Sequence, residues 1–106
     1  MWIENKRGGL AGPARIGRVT FSKSGKSLSY DGTRFEKLKG GGFKSNYLDT
    51  ETNEHYWISG CRRDGMDALY STDVTIDEDV RKEYWREIRG RPDQEHVTSF
   101  RAPGKY

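Results

Sequence analysis

Asp31-Gly32, set between Lys26–Tyr30 (KSLSY) and Thr33–Lys37 (TRFEK), constrains the fold more than any other feature of the chain. Both residues tolerate positive φ, which a two-residue hairpin turn requires at its two central positions. The register this turn imposes pairs Leu28 with Phe35 and Tyr30 with Thr33 on one face, and sends Ser29 and Arg34 to the other. Turn chemistry and apolar alternation agree, so the segment is expected to be a β-hairpin with one buried side.

Other segments extend a sheet from this hairpin. Arg15–Ser22 (RIGRVTFS) alternates with Val19 and Phe21 on one side and Arg18 and Thr20 on the other, the pattern of a half-buried strand, and Ser24-Gly25 marks a turn after it. Phe43–Asp49 and Glu54–Ser59 read as a second hairpin around Thr50–Asn53. Phe43, Ser45 and Tyr47 share a face of its first strand. Tyr56 and Ile58 share a face of its second, with His55 and Trp57 opposite. Trp2–Asn5 and Thr72–Ile76 add short edge strands. Strands this short and this numerous predict a small bent antiparallel sheet or an SH3-like barrel.

The period then changes. Val80, Tyr84, Trp85 and Ile88 form one apolar stripe, so residues 77–89 are expected to be an amphipathic helix that closes the sheet. Asp77 is placed to cap it, Glu78 and Asp79 suit its positive end, Arg86 and Arg89 its negative end, and Gly90 and Pro92 stop it. Residues 93–106 are polar and unpatterned, which predicts a disordered tail. The chain therefore reads as one β-rich domain over residues 1–92.

Such a core must lean on aromatic side chains. Only 32% of the 106 residues are hydrophobic against 33% charged, but six Tyr, four Phe and three Trp are present. Each aromatic buries on the order of 150–250 Å², enough together to make a folded state feasible. No apolar run approaches the roughly 20 residues that cross a bilayer, and Met1–Leu10 lacks the apolar centre of a signal peptide. A lone cysteine excludes an internal disulfide and paired-cysteine zinc spacing. A cytoplasmic protein without a membrane partner is expected.

The net charge of +3 conceals segregation. Residues 1–44 carry ten Lys or Arg and three Asp or Glu, residues 45–79 carry two and nine, and residues 80–106 carry seven and four. Either the basic segment faces a polyanion, or it meets the acidic one within the fold.

Cys61 is the one candidate nucleophile. Arg62 and Arg63 follow it directly and would favour its thiolate, and His55 is the nearest base in sequence. Six residues of extended chain would nevertheless hold the two about 20 Å apart at ~3.3 Å per residue, and no local signature of a cysteine hydrolase surrounds the thiol. A small packed hydrophobe is the expected role. Ser24-Gly25-Lys26-Ser27 ends like a phosphate loop, but Thr20 stands where that loop needs glycine, and a hairpin follows where it needs a helix. Asp64-Gly65-Met66-Asp67 with Asp73 lacks the alternation and closing glutamate of a calcium loop, so Asp64 reads as a turn cap. His55 and His96 are too far apart in sequence to suggest a metal site. No cofactor motif is recognised.

Basic and aromatic residues give the broadest functional signal. Arg15, Arg18, Lys23, Lys26, Arg34, Lys37, Lys39 and Lys44 are interleaved with Phe21, Tyr30, Phe35 and Phe43, and Gly40-Gly41-Gly42 offers backbone amides between Lys39 and Lys44. Small barrels bind nucleic acid by combining cationic grooves with stacking aromatics. Two readings of those aromatics stand side by side: a stacking platform, or the core itself, because few aliphatic residues are available to replace them inside.

The pieces KGGGFKSNY, YWISGCRRDG and EYWREIRGRP, within residues 13–92, resemble a set of small bacterial proteins of unassigned role. The resemblance implies no activity and carries over no functional residue. Some similar sequences are labelled 1-deoxy-D-xylulose-5-phosphate synthase, an enzyme that holds thiamine diphosphate between large α/β domains with a Gly-Asp-Gly start to its metal motif. Arg63-Asp64-Gly65 is the nearest fragment here, and 106 residues cannot supply two such domains.

The sequence thus favours a non-catalytic binding module, with nucleic acid as partner through Arg15, Arg18, Lys26, Arg34, Lys37, Lys39, Gly40, Gly41, Gly42 and Lys44. The alternatives are a protein–protein interaction module using exposed aromatics or the acidic segment, and a cysteine-dependent enzyme or thiol sensor.

Overall fold

The computed structural model describes residues 1–6, 12–39 and 45–105. Its strands are β1 (Trp2–Asn5), β2 (Ala14–Ile16), β3 (Thr20–Phe21), β4 (Ser27–Tyr30) and β5 (Thr33–Lys37), then β6 (Tyr47–Asp49), β7 (His55–Ser59), β8 (Thr72–Ile76) and β9 (Ser99–Ala102). They join in one sheet of order β3-β4-β5-β6-β7-β1-β2-β8-β9. Every pairing is antiparallel except β2 with β8. The sheet curls into an open half-barrel, so of the two expected forms the bent open sheet is the one adopted.

The Asp31-Gly32 hairpin has the expected register, Leu28 opposite Phe35 and Tyr30 opposite Thr33. Asp31 (φ 50°) and Gly32 (φ 79°) both take the left-handed conformation the turn demands. In the second hairpin Tyr47 faces Tyr56 and Leu48 faces His55. Its first strand begins at Tyr47; the expected start at Phe43 lies outside the described residues.

Alternation along β1 divides the core in two. Trp2 points to one face, where it packs with Ala14, Ile16, Val74, Ile76 and the helix. Ile3 points to the other face and meets Leu28, Tyr30, Phe35, Tyr47 and Ile58. The aromatics of the hairpins are therefore core, with Tyr30, Phe35 and Tyr47 all buried.

Helix α1 closes the first face with a 3-10 turn (Glu78–Val80), an α turn (Arg81–Glu83) and a π turn (Tyr84–Ile88). The expected stripe holds: Val80, Tyr84 and Trp85 are buried and Ile88 packs against them. The π turn widens the helix so that the adjacent Tyr84 and Trp85 both reach the sheet. Gly90 (φ 63°) then ends it.

Four expectations are corrected. The strand foreseen over Arg15–Ser22 breaks at Gly17, and the chain leaves β2 before re-entering the sheet as β3; the bend brings its backbone so near Tyr30 and Asp77 that a Cβ would stand 2.4 Å from Tyr30 Cε1 and 2.5 Å from Asp77 Oδ2. Phe21, expected inward, lies on that edge strand and is 51% exposed. Asp77 precedes the helix but makes no side-chain capping bond, since its carboxylate is engaged by Arg15 and Tyr30. Residues 93–106 are not a disordered tail across their described part. Trp85 Nε1 donates to the Val97 carbonyl (3.0 Å), Phe100 packs beside Tyr84 and Trp85, and Ser99–Ala102 pairs along the otherwise open edge of β8.

Candidate nucleic-acid interface

The β3–β4 turn and the β4–β5 hairpin, with the residues that follow it, enclose a cleft of about 630 Å³, lined by Ser22, Ser24, Lys26, Ser27, Arg34, Glu36, Lys37, Leu38 and Lys39. The hairpin register makes this surface polar. With Leu28 and Phe35 committed to the core on the Ile3 face, Arg34 and Glu36 must face the other side. The turn is built from its own hydroxyls: Ser22 Oγ accepts from the Ser27 amide (3.2 Å) and Ser24 Oγ from the Lys26 amide (3.3 Å).

Four of the ten residues expected to contact nucleic acid, Lys26, Arg34, Lys37 and Lys39, are thus brought together. Lys26, Lys37 and Lys39 have no acidic partner among the described residues, and Arg34 has only Glu36 at 3.8 Å. Arg15 and Arg18 line other cavities and are neutralised locally. Arg15 bonds Asp77 Oδ1 through Nη2 (2.6 Å) and Nε (3.2 Å) and lies 3.7 Å from Asp31, while Arg18 donates to Glu83 (2.9 Å). Gly40, Gly41, Gly42 and Lys44 lie outside the described residues. Of the two outcomes for the segregated charge, Arg15 meets the acidic segment at Asp77, and the hairpin lysines do not meet it within the described fold.

The thiol at Cys61 has the opposite character to a nucleophile. It is half-buried against the core beside the helix, and burial pushes its pKa up, outweighing the N-terminal ammonium that draws it down, with the Asp67 carboxylate adding to the rise. The expected activation by Arg62 is absent because that guanidinium forks onto both oxygens of Asp64 at 3.0 Å. His55 sits at the far end of β7, hydrogen-bonded to Ser45 Oγ (3.0 Å). Asp64 caps its turn as expected, accepting from the Met66 amide (2.9 Å) beside Gly65 at φ 72°. Among the described residues no three of His, Cys, Asp and Glu converge as a metal centre would require, and no helix is long and apolar enough to cross a membrane.

A second group of polar residues escaped the sequence reading. Asn5, Asp31 and Asp49 join Arg15, Tyr30, Phe35 and Tyr56 around a cavity of about 220 Å³ on the face of the sheet that carries Ile3. Strand parity alone places Asp49 on the side of Phe35, a signal available only once β5 and β6 are in register.

No protein-family model, curated protein or solved structure matches this chain.

Proposed function

We propose that the protein is a non-catalytic cytoplasmic binding module whose partner is a nucleic acid, held by its phosphates against Lys26, Arg34, Lys37 and Lys39. One observation carries this reading: four cations converge on a single cleft against one carboxylate, Glu36, while the neighbouring arginines are already paired. Three serine hydroxyls in the same cleft add neutral donors suited to phosphate oxygens.

The binding follows from that chemistry. Of the aromatics interleaved with the cations, Tyr30 and Phe35 are buried and Phe21, on the edge strand, is exposed, so contact is made chiefly with the backbone and depends little on base sequence. Four phosphate contacts on a duplex correspond to a salt slope of about −3.6.

Anisotropy titrations with labelled single-stranded and duplex DNA and RNA, at low and raised salt, test the proposal. The wild type is expected to bind with a steep salt dependence. Lys37→Glu/Lys39→Glu is expected to lose at least about tenfold in affinity and to flatten the slope by about two. Equal affinity of the variant for every nucleic acid bound, or no binding by the wild type at low salt, overturns the proposal.

A further inference from the structure

Resting on the phosphate contacts proposed above, we infer that the nucleic acid is bound as a single strand, with one unpaired base stacked on the ring of Phe21 while the phosphates lie in the cationic cleft. Phe21 does not line the cleft itself. Successive residues of a strand point to opposite faces, so Ser22 lines the cleft while Phe21 joins Leu28 and Phe35 in one row on the other face.

The exposure of Phe21 is the first reason. Among the described residues it is the one large hydrophobic side chain that lies open to solvent, whereas Leu28 and Phe35 in the same row are buried. The cause is its place in the sheet: β3 is the last strand on its side, and no strand lies beyond it to cover the ring. Edge strands are ordinarily kept short and charged. The two residues of β3, flanked by Arg18 and Lys23, follow that pattern everywhere except at Phe21.

The second reason is what lies on either side of that edge. The edge is one strand wide, about 4.8 Å, so a polynucleotide leaving the cleft at Ser22 meets Phe21 as soon as it crosses. On the far side is a hollow of about 190 Å³, lined by Phe21, Met1, Val19 and Ile88 together with Arg18 and Glu83. Glu83 holds the Arg18 guanidinium at 2.9 Å, so this side draws a phosphate weakly and offers apolar surface to a base. A cationic groove beside an open aromatic ring is the combination with which proteins hold single strands. A duplex keeps its bases stacked on one another and presents none to Phe21. Stacking accepts any base, since each has a π face, and so selects the single strand without selecting its sequence.

The test titrates the full chain with a labelled DNA strand of mixed sequence, the duplex of that sequence, and an abasic strand of equal length that keeps every phosphate and lacks the bases, each at low and raised salt. The wild type is expected to bind the strand about tenfold more tightly than the abasic strand, the contribution of one stacked base. Phe21→Ala is expected to lose that tenfold and to leave the duplex and abasic affinities unchanged. Its salt slope should also stay unchanged, whereas Lys37→Glu/Lys39→Glu flattens the slope. Phe21→Trp keeps a ring at the edge; it should retain the affinity, and the emission it adds to the wild-type spectrum should be quenched by the strand and not by the abasic strand. Equal wild-type affinity for strand and abasic strand, with steep salt dependence in both, overturns the inference and leaves the phosphate reading standing. No binding of any probe at low salt overturns the phosphate reading, and the inference falls with it. A wild type that sediments as a dimer, with a monomeric Phe21→Ala variant of undiminished affinity for the strand, assigns the ring to a contact between two copies and overturns the inference as well.

Discussion

The phenol of Tyr30 donates a 2.6 Å hydrogen bond to Asp77 Oδ2 across 47 residues of sequence, joining the end of β4 to the residue that leads into α1. Burial, and then this bond to a carboxylate, raises the Tyr30 pKa well above the ordinary phenol range. A raised pKa means that the folded state keeps the proton more tightly than the unfolded chain. The resulting stabilisation is complete below the unfolded value of about 10 and is lost as pH climbs above it. Tyr30→Phe leaves Asp77 with Arg15 and is expected to cost about 1.5 kcal/mol at neutral pH. It should also remove part of the alkaline loss of stability. Urea unfolding of both proteins at neutral pH and above pH 10 measures the two effects; parallel pH profiles would rule out the titration of Tyr30 as their source.

Gly17 lies against the same pair, with no space for a methyl group beside Tyr30 Cε1 or Asp77 Oδ2. Gly17→Ala must displace the ring, the carboxylate or both, at an expected cost of about 1–3 kcal/mol. Adding Tyr30→Phe should not rescue it, because the ring carbon that clashes remains. Rescue in the thermal midpoint of the double variant would show that the hydroxyl, rather than the ring, sets the fit.

Glu4 and Lys6 make a 3.0 Å ion pair with side chains only 3% and 7% exposed, respectively. The carboxylate also accepts from Trp2 Nε1 (3.2 Å) and the Gly12 amide (3.3 Å), so it is anchored on three sides. Lys6→Met leaves that charge buried without its cation and is expected to cost about 3–5 kcal/mol. Glu4→Gln/Lys6→Met retains an acceptor for the indole and should recover most of the loss. A single variant that unfolds within about 1 kcal/mol of the wild type contradicts this account.

What could be read from the sequence was mostly local. The Asp31-Gly32 turn and the stripe of Val80, Tyr84 and Trp85 are written in neighbouring residues, and both took the expected form. The pairing of Arg15 and Arg18 was hidden because their acids, Asp77 and Glu83, stand 62 and 65 residues away. Ser99–Ala102 has little apolar pattern of its own and becomes a strand because β8 offers an open edge beside Trp85. The basic cleft was half legible for the same reason: the cations of one hairpin are adjacent in sequence, but which of the remaining cations are neutralised depends on the fold.

Cys61 offers a test of the enzymatic alternative. With burial holding its thiol above the ordinary value, little thiolate exists at neutral pH. Alkylation by iodoacetamide at neutral pH is expected to be slower than that of an unfolded control chain and to accelerate when urea opens the core. Alkylation faster than the control would mean an activated thiol and would return Cys61 to consideration as a reactive centre.

Asp67 carries the clearest acid-side prediction. Its Oδ1 accepts from the Arg62 amide (2.9 Å), but Oδ2 is buried without a hydrogen-bond partner among the described residues, and burial is the main cause that pushes its pKa up. Above the folded pKa the carboxylate is charged and opposes folding. As pH falls through that value toward the unfolded one near 3.9, the folded state takes up the proton first, and this site's contribution to stability rises. Asp67→Asn retains an oxygen for the Arg62 amide and carries no charge. It is expected to gain about 1 kcal/mol at neutral pH and to lose the site's improvement on mild acidification. Arg89 supplies the competing possibility, since its Nε is also buried without a partner and its charge acts on Asp67 in the opposite direction. If Asp67→Asn is less stable than the wild type at neutral pH, the carboxylate is compensating that guanidinium, and electrostatic pairing outweighs desolvation at this position.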